Sequence, residues 1–121
     1  MDNIAEELKN RTKKFAIDIV KLCRTFPKEE ESVIIKRQII RSATSTAANY
    51  RAVCRGRSDA EFFSKLSIVV EESDETLFWL ELITELELVN NAQLKHCFDE
   101  ASQLIKIFSK SRKTAKANRY N

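Results

Sequence analysis

The sequence of 121 residues contains one glycine, Gly56, one proline, Pro27, and one histidine, His96. Tight turns and phosphate-cradling loops depend on glycine, and proline ends helices, so the scarcity of both excludes most active sites that are built on loops. A chain with so few turn-forming residues is expected to consist of a few long helices joined by short connections.

Several kinds of catalytic and metal site are also missing. A phosphate-binding loop of the form G-x-x-x-x-G-K-[ST] cannot be built with one glycine. A di-iron bundle needs two Glu-x-x-His motifs, but Gln93 stands three residues before His96. Cys23, Cys54 and Cys97 are too far apart to match the spacing of a zinc site. We therefore expect no catalytic residue, no metal and no cofactor, and we interpret the protein as not an enzyme.

The composition predicts a single soluble domain. Apolar residues make up 43% of the chain and charged residues 32%, which suits helices with one solvent-exposed face. The first residues are acidic and lack the basic and apolar regions of a secretory signal, and no apolar run is long enough to span a membrane. An odd number of dispersed cysteines is typical of a reducing compartment, so we expect a cytoplasmic protein with no membrane partner.

Apolar residues recur at steps of three and four, which is the spacing of amphipathic helices. Ser58 and Glu61 form a capping-box pattern, Gly56 is predicted to end the preceding helix in a left-handed conformation, and Asn90-Asn91 is predicted to end the third helix and cap the last one. The predicted helices cover about residues 4–24, 29–55, 59–89 and 92–109.

Short connections place consecutive helices side by side in opposite directions. The predicted fold is therefore all-α: an up-down-up-down antiparallel left-handed four-helix bundle over residues 1–109, followed by a basic C-terminal tail over residues 110–121.

The third predicted helix has more apolar surface than one core needs. Six of the seven residues from Leu77 to Ile83 are apolar, which covers nearly the whole circumference of the helix. Phe78, Trp79 and Leu82 point away from the predicted core stripe, and we expect them to form an oligomer interface. The alternative is a wide core with Trp79 at its edge.

The second predicted helix has six consecutive small residues, 43–48, which let neighbouring helices approach closely. Asn49 follows them and needs a hydrogen-bond partner in a densely packed region. We expect Asn49 to have a structural role, with Ser73 or a carboxylate of the third helix as its partner.

Basic residues are concentrated in two places. The last twelve residues hold five cations and no acid, while the whole chain has a net charge of +3. A second group lies on the second helix and the turn after it. Such concentrations are typical of phosphate-backbone binding, and the alternative is a solubilising tail with ion-paired helix ends. The predicted nucleic-acid-binding residues are Arg41, Arg51, Arg55, Arg57, Lys110, Arg112, Lys113, Lys116 and Arg119.

The segments 41–51 and 75–82, together with the Arg57-Ser58 turn, resemble a known family. It comprises the four-helix-bundle proteins named for being encoded within intervening sequences of bacterial 23S ribosomal RNA, and the match runs from about Phe15 to Phe108. Many relatives carry a glutamate where this chain has Ala52.

That family is in turn similar to the accessory variability determinant of diversity-generating retroelements, a pentameric basic barrel that partners a reverse transcriptase. The resemblance implies a homopentamer and a connection to RNA or a reverse transcriptase, and the charge pattern suits DNA as well as RNA. We therefore expect a scaffold that binds nucleic acid through charge and shape. The alternative is an oligomeric adaptor that recruits a protein partner such as a reverse transcriptase and has no direct nucleic-acid role.

Overall fold

The computed structural model describes residues 3–119, with side chains up to residue 118. No strand occurs in this part of the chain, and the prediction of four helices is confirmed. The helices are α1 (Asn3–Cys23), α2 (Glu30–Val53), α3 (Asp59–Glu85) and α4 (Ala92–Arg119). They form a four-helix bundle in which α1 contacts α2, α2 contacts α3, α3 contacts α4 and α1 contacts α4.

All four helices contribute one apolar stripe to a common core. On α3 the predicted stripe is buried at Leu66, Val69, Leu80 and Ile83, whereas Phe62 at its start remains 38% exposed. Burial of such large aliphatic side chains contributes about 1.5–3 kcal/mol each. The core extends the full length of the bundle because the stripes recur along every helix; its large fully buried side chains include Ile19, Leu22, Ile35, Ile39, Leu104 and Phe108.

A polar contact lies within the core between α2 and α3. The Thr76 hydroxyl donates to Ser42 Oγ at 2.8 Å, and the Ser42 hydroxyl donates to the carbonyl oxygen of Ile39 at 3.2 Å. The Thr76 hydroxyl also lies 2.8 Å from the Glu72 carbonyl oxygen, so both buried hydroxyl groups have partners inside the core. It joins the centre of α2 to the centre of α3.

The predicted N-caps of α3 and α4 are confirmed. Ser58 Oγ accepts the backbone N–H of Glu61 at 3.1 Å, and Asn91 Oδ1 accepts the backbone N–H of Leu94 at 2.8 Å. Each cap satisfies one of the free N–H groups in the first turn of a helix. The Asn91 amide also donates to Thr25 Oγ1 at 3.1 Å, which ties the start of α4 to the end of α1.

The predicted left-handed cap at Gly56 is wrong, because the φ angle of this glycine is not positive. Helix α2 has already ended at Val53, and the N–H of Gly56 bonds to the Val53 carbonyl in a tight turn at 3.0 Å. A Cβ atom at this position would lie 3.3 Å from the Val53 carbonyl oxygen. Glycine is therefore favoured here by close approach of the backbone.

The left-handed helix end occurs instead after α3, which stops at Glu85 rather than at the predicted 89. Glu87 has φ 53°, the N–H of Leu88 bonds to the Ile83 carbonyl, and the N–H of Glu87 bonds to the Thr84 carbonyl, both at 3.1 Å. These two bonds form a Schellman motif with glutamate where glycine is usual. The sequence did not reveal it because no glycine marks the position.

Helix α4 is longer than predicted and continues through the segment that we expected to be a tail. It does not end at residue 109 but runs to Arg119. The apolar pattern ends there, yet lysine, arginine and alanine are strong helix formers, and no glycine or proline interrupts them. Residues 110–119 are thus part of a helix, and residues 120 and 121 lie outside the described part of the chain.

The seam between α1 and α4 is the least extensive of the four helix contacts. Arg11 donates to Glu100 at 2.6 and 3.0 Å, and Asp18 lies 3.3 Å from His96 Nε2. The hydrogen bond from Arg11 to Glu100 raises the pKa of the Arg11 guanidinium. Polar pairs therefore close this seam along its outer side.

Candidate functional site

Two contacts show which helix ends meet at one end of the bundle. Cys54 Sγ lies 4.0 Å from the Ala5 carbonyl oxygen, and Arg112 Nε–H donates to Ser67 Oγ at 2.8 Å. The short connection 54–58 joins α2 directly to α3. The start of α1, the end of α2, the start of α3 and the end of α4 therefore lie together. We call this end the basic half and define it as residues 3–13, 44–70 and 104–118.

Charge is distributed unevenly between the two halves of the described chain. The basic half holds twelve lysines and arginines against four acids, whereas the remaining described residues hold eight against thirteen. The net charge of +3 for the whole chain hides this difference. Opposite excesses at the two ends make the electrostatic potential strongly positive at one end. The four acids of the basic half are Glu6, Glu7, Asp59 and Glu61.

Most of the predicted nucleic-acid-binding residues lie together in the basic half. Seven of them are exposed there, and Arg119 has a side chain outside the described residues. Arg51 lies in the last turn of α2 and Arg55 lies just beyond its end, and no carboxylate of residues 3–118 is within ion-pair distance of either. The seven grouped residues are Arg51, Arg55, Arg57, Lys110, Arg112, Lys113 and Lys116.

Arg41 is separated from this group and takes part in a network between α2 and α3. Its guanidinium bonds to Glu72 at 3.1 Å and to Glu75, and Glu75 also accepts the Trp79 indole N–H at 3.0 Å. The hydrogen bonds from Arg41 and Trp79 lower the pKa of the Glu75 carboxyl, and the bond to Glu75 raises the pKa of Arg41. The observed role of Arg41 is to connect two helices.

Arg112 is exposed but also has an internal partner. Its guanidinium carbon lies 5.4 Å from the centre of the Phe63 ring, and its Nε–H bonds to Ser67. A guanidinium over an aromatic ring is held by a cation–π attraction. This contact joins the turns of α4 beyond residue 109 to the first turns of α3, and lysines 110, 113 and 116 lie on these same turns of α4.

A groove between α1 and α2 is lined by two lysines that were not predicted from the sequence as binding residues. It has a volume of about 360 Å³ and includes Lys9 and Lys13 together with the predicted Arg51. Spacing places residues 9 and 13 on one face of α1 and residues 44, 48 and 51 on one face of α2, but it does not show that these two faces lie opposite each other. The full lining is Lys9, Asn10, Lys13, Thr44, Ala47, Ala48 and Arg51.

A second basic recess lies between α2 and α3 at the same end. Arg55, Arg57 and Lys65 line it, together with the acid Glu61 and with Ala52. Arg55 also lines a recess with Arg51 on the α1 side. The last turns of α2 therefore have basic recesses on both flanks, and Arg55 belongs to both.

The three residues of the predicted oligomer interface do not share one environment. Phe78 is 50% exposed, whereas Trp79 and Leu82 are half-buried and pack against the core. The Phe78 and Trp79 rings meet edge to face with centroids 4.9 Å apart. The exposed apolar surface at this position is thus mainly the Phe78 ring.

Asn49 has the expected structural kind of hydrogen bond but a different partner. Its amide donates to the Ser45 carbonyl at 2.9 Å and to Ser45 Oγ at 3.0 Å, both on its own helix. The proposed pairing with Ser73 or a carboxylate of α3 is wrong, since the Ser73 hydroxyl donates to the Val69 carbonyl at 2.7 Å. Ser73 is 2% exposed, so this bond satisfies a polar group inside the core.

The thiols of α1 and α4 are buried and the thiol after α2 is exposed. Burial raises the pKa of Cys23 to about 11 and that of Cys97 to about 12. Among residues 3–118, no three His, Cys, Asp or Glu side chains are grouped so that they could hold a metal ion. None of the described helices is both long and apolar enough to cross a membrane.

These features define a small four-helix-bundle protein with strongly segregated surface charge. The chain belongs to the 23S rRNA-intervening sequence protein family, whose model matches residues 5–110. It is similar to a crystal structure of a protein of unknown function from the S23 ribosomal protein family of Bacteroides thetaiotaomicron, with a TM-score of 0.80 and 30% identity. That alignment covers 90% of this chain and 97% of the other. None of the curated proteins compared with the chain matches it.

Proposed function

We propose that this protein is a non-enzymatic scaffold that binds RNA or another nucleic acid through the charge and shape of its basic half. The observation that carries the proposal is the segregation of charge, with twelve cations and four acids in that half. A phosphate backbone is attracted to such a surface because binding releases its condensed counterions. The family description, which names 23S ribosomal RNA, supports RNA as the nucleic acid.

The proposal predicts binding that depends strongly on salt. If about four phosphates are contacted, raising salt from about 50 to about 200 mM lowers the affinity about 150-fold, at a slope of about 0.9 per contact. Fluorescence anisotropy with a labelled short duplex RNA measures this directly. Absence of binding at the lower salt concentration, or affinity that does not change with salt, would refute the proposal.

A matched pair of variants tests the location of the binding surface. Replacing Lys110, Lys113 and Lys116 by Gln removes three charges from the basic half, and all three side chains are exposed. We expect this variant to bind RNA more weakly and with a shallower salt slope. The control replaces Lys21, Arg24 and Lys28 by Gln, which changes the net charge equally but in the other half. Equal loss in both variants would refute the assignment to the basic half.

We further propose that copies of the chain assemble into a ring-shaped homo-oligomer, a homopentamer, from bundles in left-handed up-down-up-down order. The exposed Phe78 ring supports this assembly, because burial against another copy removes apolar surface from water. Light scattering is expected to give a mass of about five times the 14.0 kDa of one chain. Phe78→Glu should reduce that mass and the control Ile17→Glu should not. A wild-type monomer would refute this part.

The second candidate function is an adaptor that recruits a protein partner such as a reverse transcriptase. The observation that favours it is the setting of Phe78 between Asp74 and Glu81 on the exposed side of α3, which suits a partner with a basic, apolar surface. The two candidates differ in one experiment with purified components. The adaptor function is supported if the wild-type protein binds a purified reverse transcriptase but no RNA, and if Phe78→Glu no longer binds the reverse transcriptase. Direct binding of RNA by the wild-type protein refutes the adaptor function.

A further inference from the structure

The groove between α1 and α2 is lined by small side chains and by basic side chains. On α2, residues 44, 47, 48 and 51 fall on one face, and Ala47 and Ala48 leave the space between the helices open. Lys9 and Lys13 lie across from them on α1, one helical turn apart. Larger side chains at the two alanine positions would occupy the groove, so its volume of about 360 Å³ depends on these small residues.

The charges around the groove are largely uncompensated. Lys9 is 3.1 Å from Glu6, but no carboxylate of residues 3–118 is within ion-pair distance of Lys13 or Arg51. The groove continues into a recess of about 400 Å³ that adds Arg55 and also contains Glu6. Four cations thus face one acid along this seam.

The remaining polar side chains of the groove differ in what they offer. The Thr44 hydroxyl already bonds to the Ile40 carbonyl at 2.7 Å and the Arg41 carbonyl at 3.1 Å, so its proton is engaged within α2. Asn10 is exposed, and its amide can donate to a ligand. The available donors are therefore the amide of Asn10 and the charged groups of the lysines and arginines.

We infer that this groove seats the phosphodiester backbone of a nucleic acid, an inference that rests on the proposed function and specifies its contact surface. The seam follows α2 from Thr44 to Arg51, which is about 10 Å at 1.5 Å per residue, and it continues to Arg55 in the turn after the helix. Such a length suits several successive phosphates better than one small anion. Because bound phosphates would lie between α1 and α2, Lys9 and Lys13 join Arg51 and Arg55 as binding residues.

The groove also specifies which form of nucleic acid it takes. Neither the groove nor the recess that continues it is lined by an aromatic side chain. Binding to single strands is usually strengthened by stacking of bases on aromatic rings, which this surface does not offer. The groove therefore recognises the charge and shape of the phosphodiester backbone. It binds duplex RNA at least as tightly as a single strand of the same sequence.

The inference is tested with two double variants of the full chain and a fluorescein-labelled duplex RNA. Lys13→Gln with Arg51→Gln removes two groove charges, and Lys21→Gln with Arg37→Gln removes two exposed charges from the same helices in the other half. At about 0.1 M salt each lost contact lowers the affinity about eight-fold, so the groove variant should bind about 60-fold more weakly and its salt slope should fall by about 2. The control should bind like the wild type.

A second pair of variants tests the shape of the groove without changing charge. Ala48→Leu places a larger side chain in the groove at an exposed helical position, and the control Ala92→Leu makes the same change at the exposed start of α4. We expect Ala48→Leu to weaken duplex binding and Ala92→Leu to leave it unchanged. Circular dichroism and thermal unfolding of each variant verify that the bundle remains folded.

The outcomes separate this inference from the proposed function. If the groove variants bind like their controls while the Lys110, Lys113 and Lys116 variant loses affinity, the groove assignment is overturned and nucleic-acid binding by the basic half stands. If the wild-type protein binds no RNA at low salt, both fall. Clearly tighter binding of the single strand than of the duplex overturns the groove assignment, because it requires base contacts that this surface lacks.

Discussion

The guanidinium carbon of Arg112 lies 5.4 Å from the centre of the Phe63 ring and thereby fastens the last turns of α4 to the first turns of α3. This relationship gives the segment 110–119 a tertiary contact although it offers little apolar surface to the core. A cation–π contact at a partly exposed site contributes about 0.5–1 kcal/mol, which is enough to shift the local opening of a helix end.

Removing this contact is expected to loosen the end of α4. In Arg112→Ala, amide hydrogen exchange of residues 109–118 should become faster, while exchange in the centre of α4 stays as in the wild type. Lys113→Ala is the matched control because that side chain is exposed and has no ion pair within residues 3–118. Equal exchange rates in the two variants would show that Arg112 does not hold the helix end.

The end of α3 contains a position where glycine should improve stability. Glu87 has φ 53°, a conformation that costs a residue with a Cβ atom about 1 kcal/mol more than glycine. Glu87→Gly is therefore expected to raise the free energy of unfolding by about that amount in urea titrations. Glu85→Gly, two residues earlier and still helical, should lower it by a similar amount. A loss of stability in both variants would contradict this account of the helix end.

Two buried serines of α2 should respond in opposite ways to loss of the hydroxyl. Ser32 is 1% exposed, and its hydroxyl has no hydrogen-bond partner among the described residues. Ser32→Ala is expected to stabilise the protein by about 1 kcal/mol, because an unsatisfied buried group is removed. Ser42→Ala should destabilise it by about 1 kcal/mol, because it removes a hydroxyl that bonds to both Thr76 and the Ile39 carbonyl. Urea unfolding measures both, and a stability change of the same sign in both variants would be inconsistent with these hydrogen-bond assignments.

The three cysteines should react in two separate phases. Cys54 is exposed, whereas burial raises the pKa of Cys23 to about 11 and that of Cys97 to about 12. Near pH 8 the two buried thiols are protonated and shielded, and only thiolate reacts with a disulfide reagent. We expect one thiol to react in the native protein and two more after unfolding, with the first phase absent in Cys54→Ser. Rapid reaction of all three in the native protein would argue against this burial.

The ion pair between Arg41 and Glu75 should make stability depend on pH at the acidic side. The hydrogen bonds from Arg41 and Trp79 lower the pKa of Glu75 in the folded state below its ordinary value of 4.5. The unfolded chain therefore binds a proton at Glu75 more readily, so the stabilisation is present above pH 4.5 and is lost as the pH falls through the folded pKa.

Glu75→Gln measures that contribution. At neutral pH the variant should be less stable than the wild type by at most about 1 kcal/mol, since the carboxylate is partly exposed and screened. The difference should shrink below pH 4.5, because the wild-type carboxyl then becomes protonated as well. A constant difference from neutral to acidic pH would show that the charge of Glu75 is not responsible.

The existence and order of the helices could be predicted from the sequence. Each helix buries one face, and this burial leaves apolar residues at steps of three and four. The stripe of α3 from Leu66 to Ile83 is an example in which pattern and burial agree. Helix ends were harder to predict. The end of α3 depends on a left-handed glutamate at position 87, and α4 continues past its last buried apolar residue through residues of high helix propensity, so neither end follows from apolar periodicity.

The candidate site was partly predictable for a similar reason. Clusters along one segment, such as Arg51 with Arg55 or the lysines near the end of α4, are visible in the sequence. The groove needs Lys9 and Lys13 from another helix, and single-helix reasoning cannot pair them with residue 51. Arg41 shows the converse case, since its partners Glu72 and Glu75 become apparent only when α3 is placed beside α2.

The limited contact between α1 and α4 affects where the native structure opens locally. An element held by one broad neighbour and one narrow one detaches at lower free energy than an element held broadly on both sides. We expect the large opening motion of lowest free energy to be a transient separation of α1 from α4, in which α1 stays in contact with α2. Such a hinge-like excursion would expose the core-facing sides of α1 and α4 while the contacts of α2 with α1 and α3 persist.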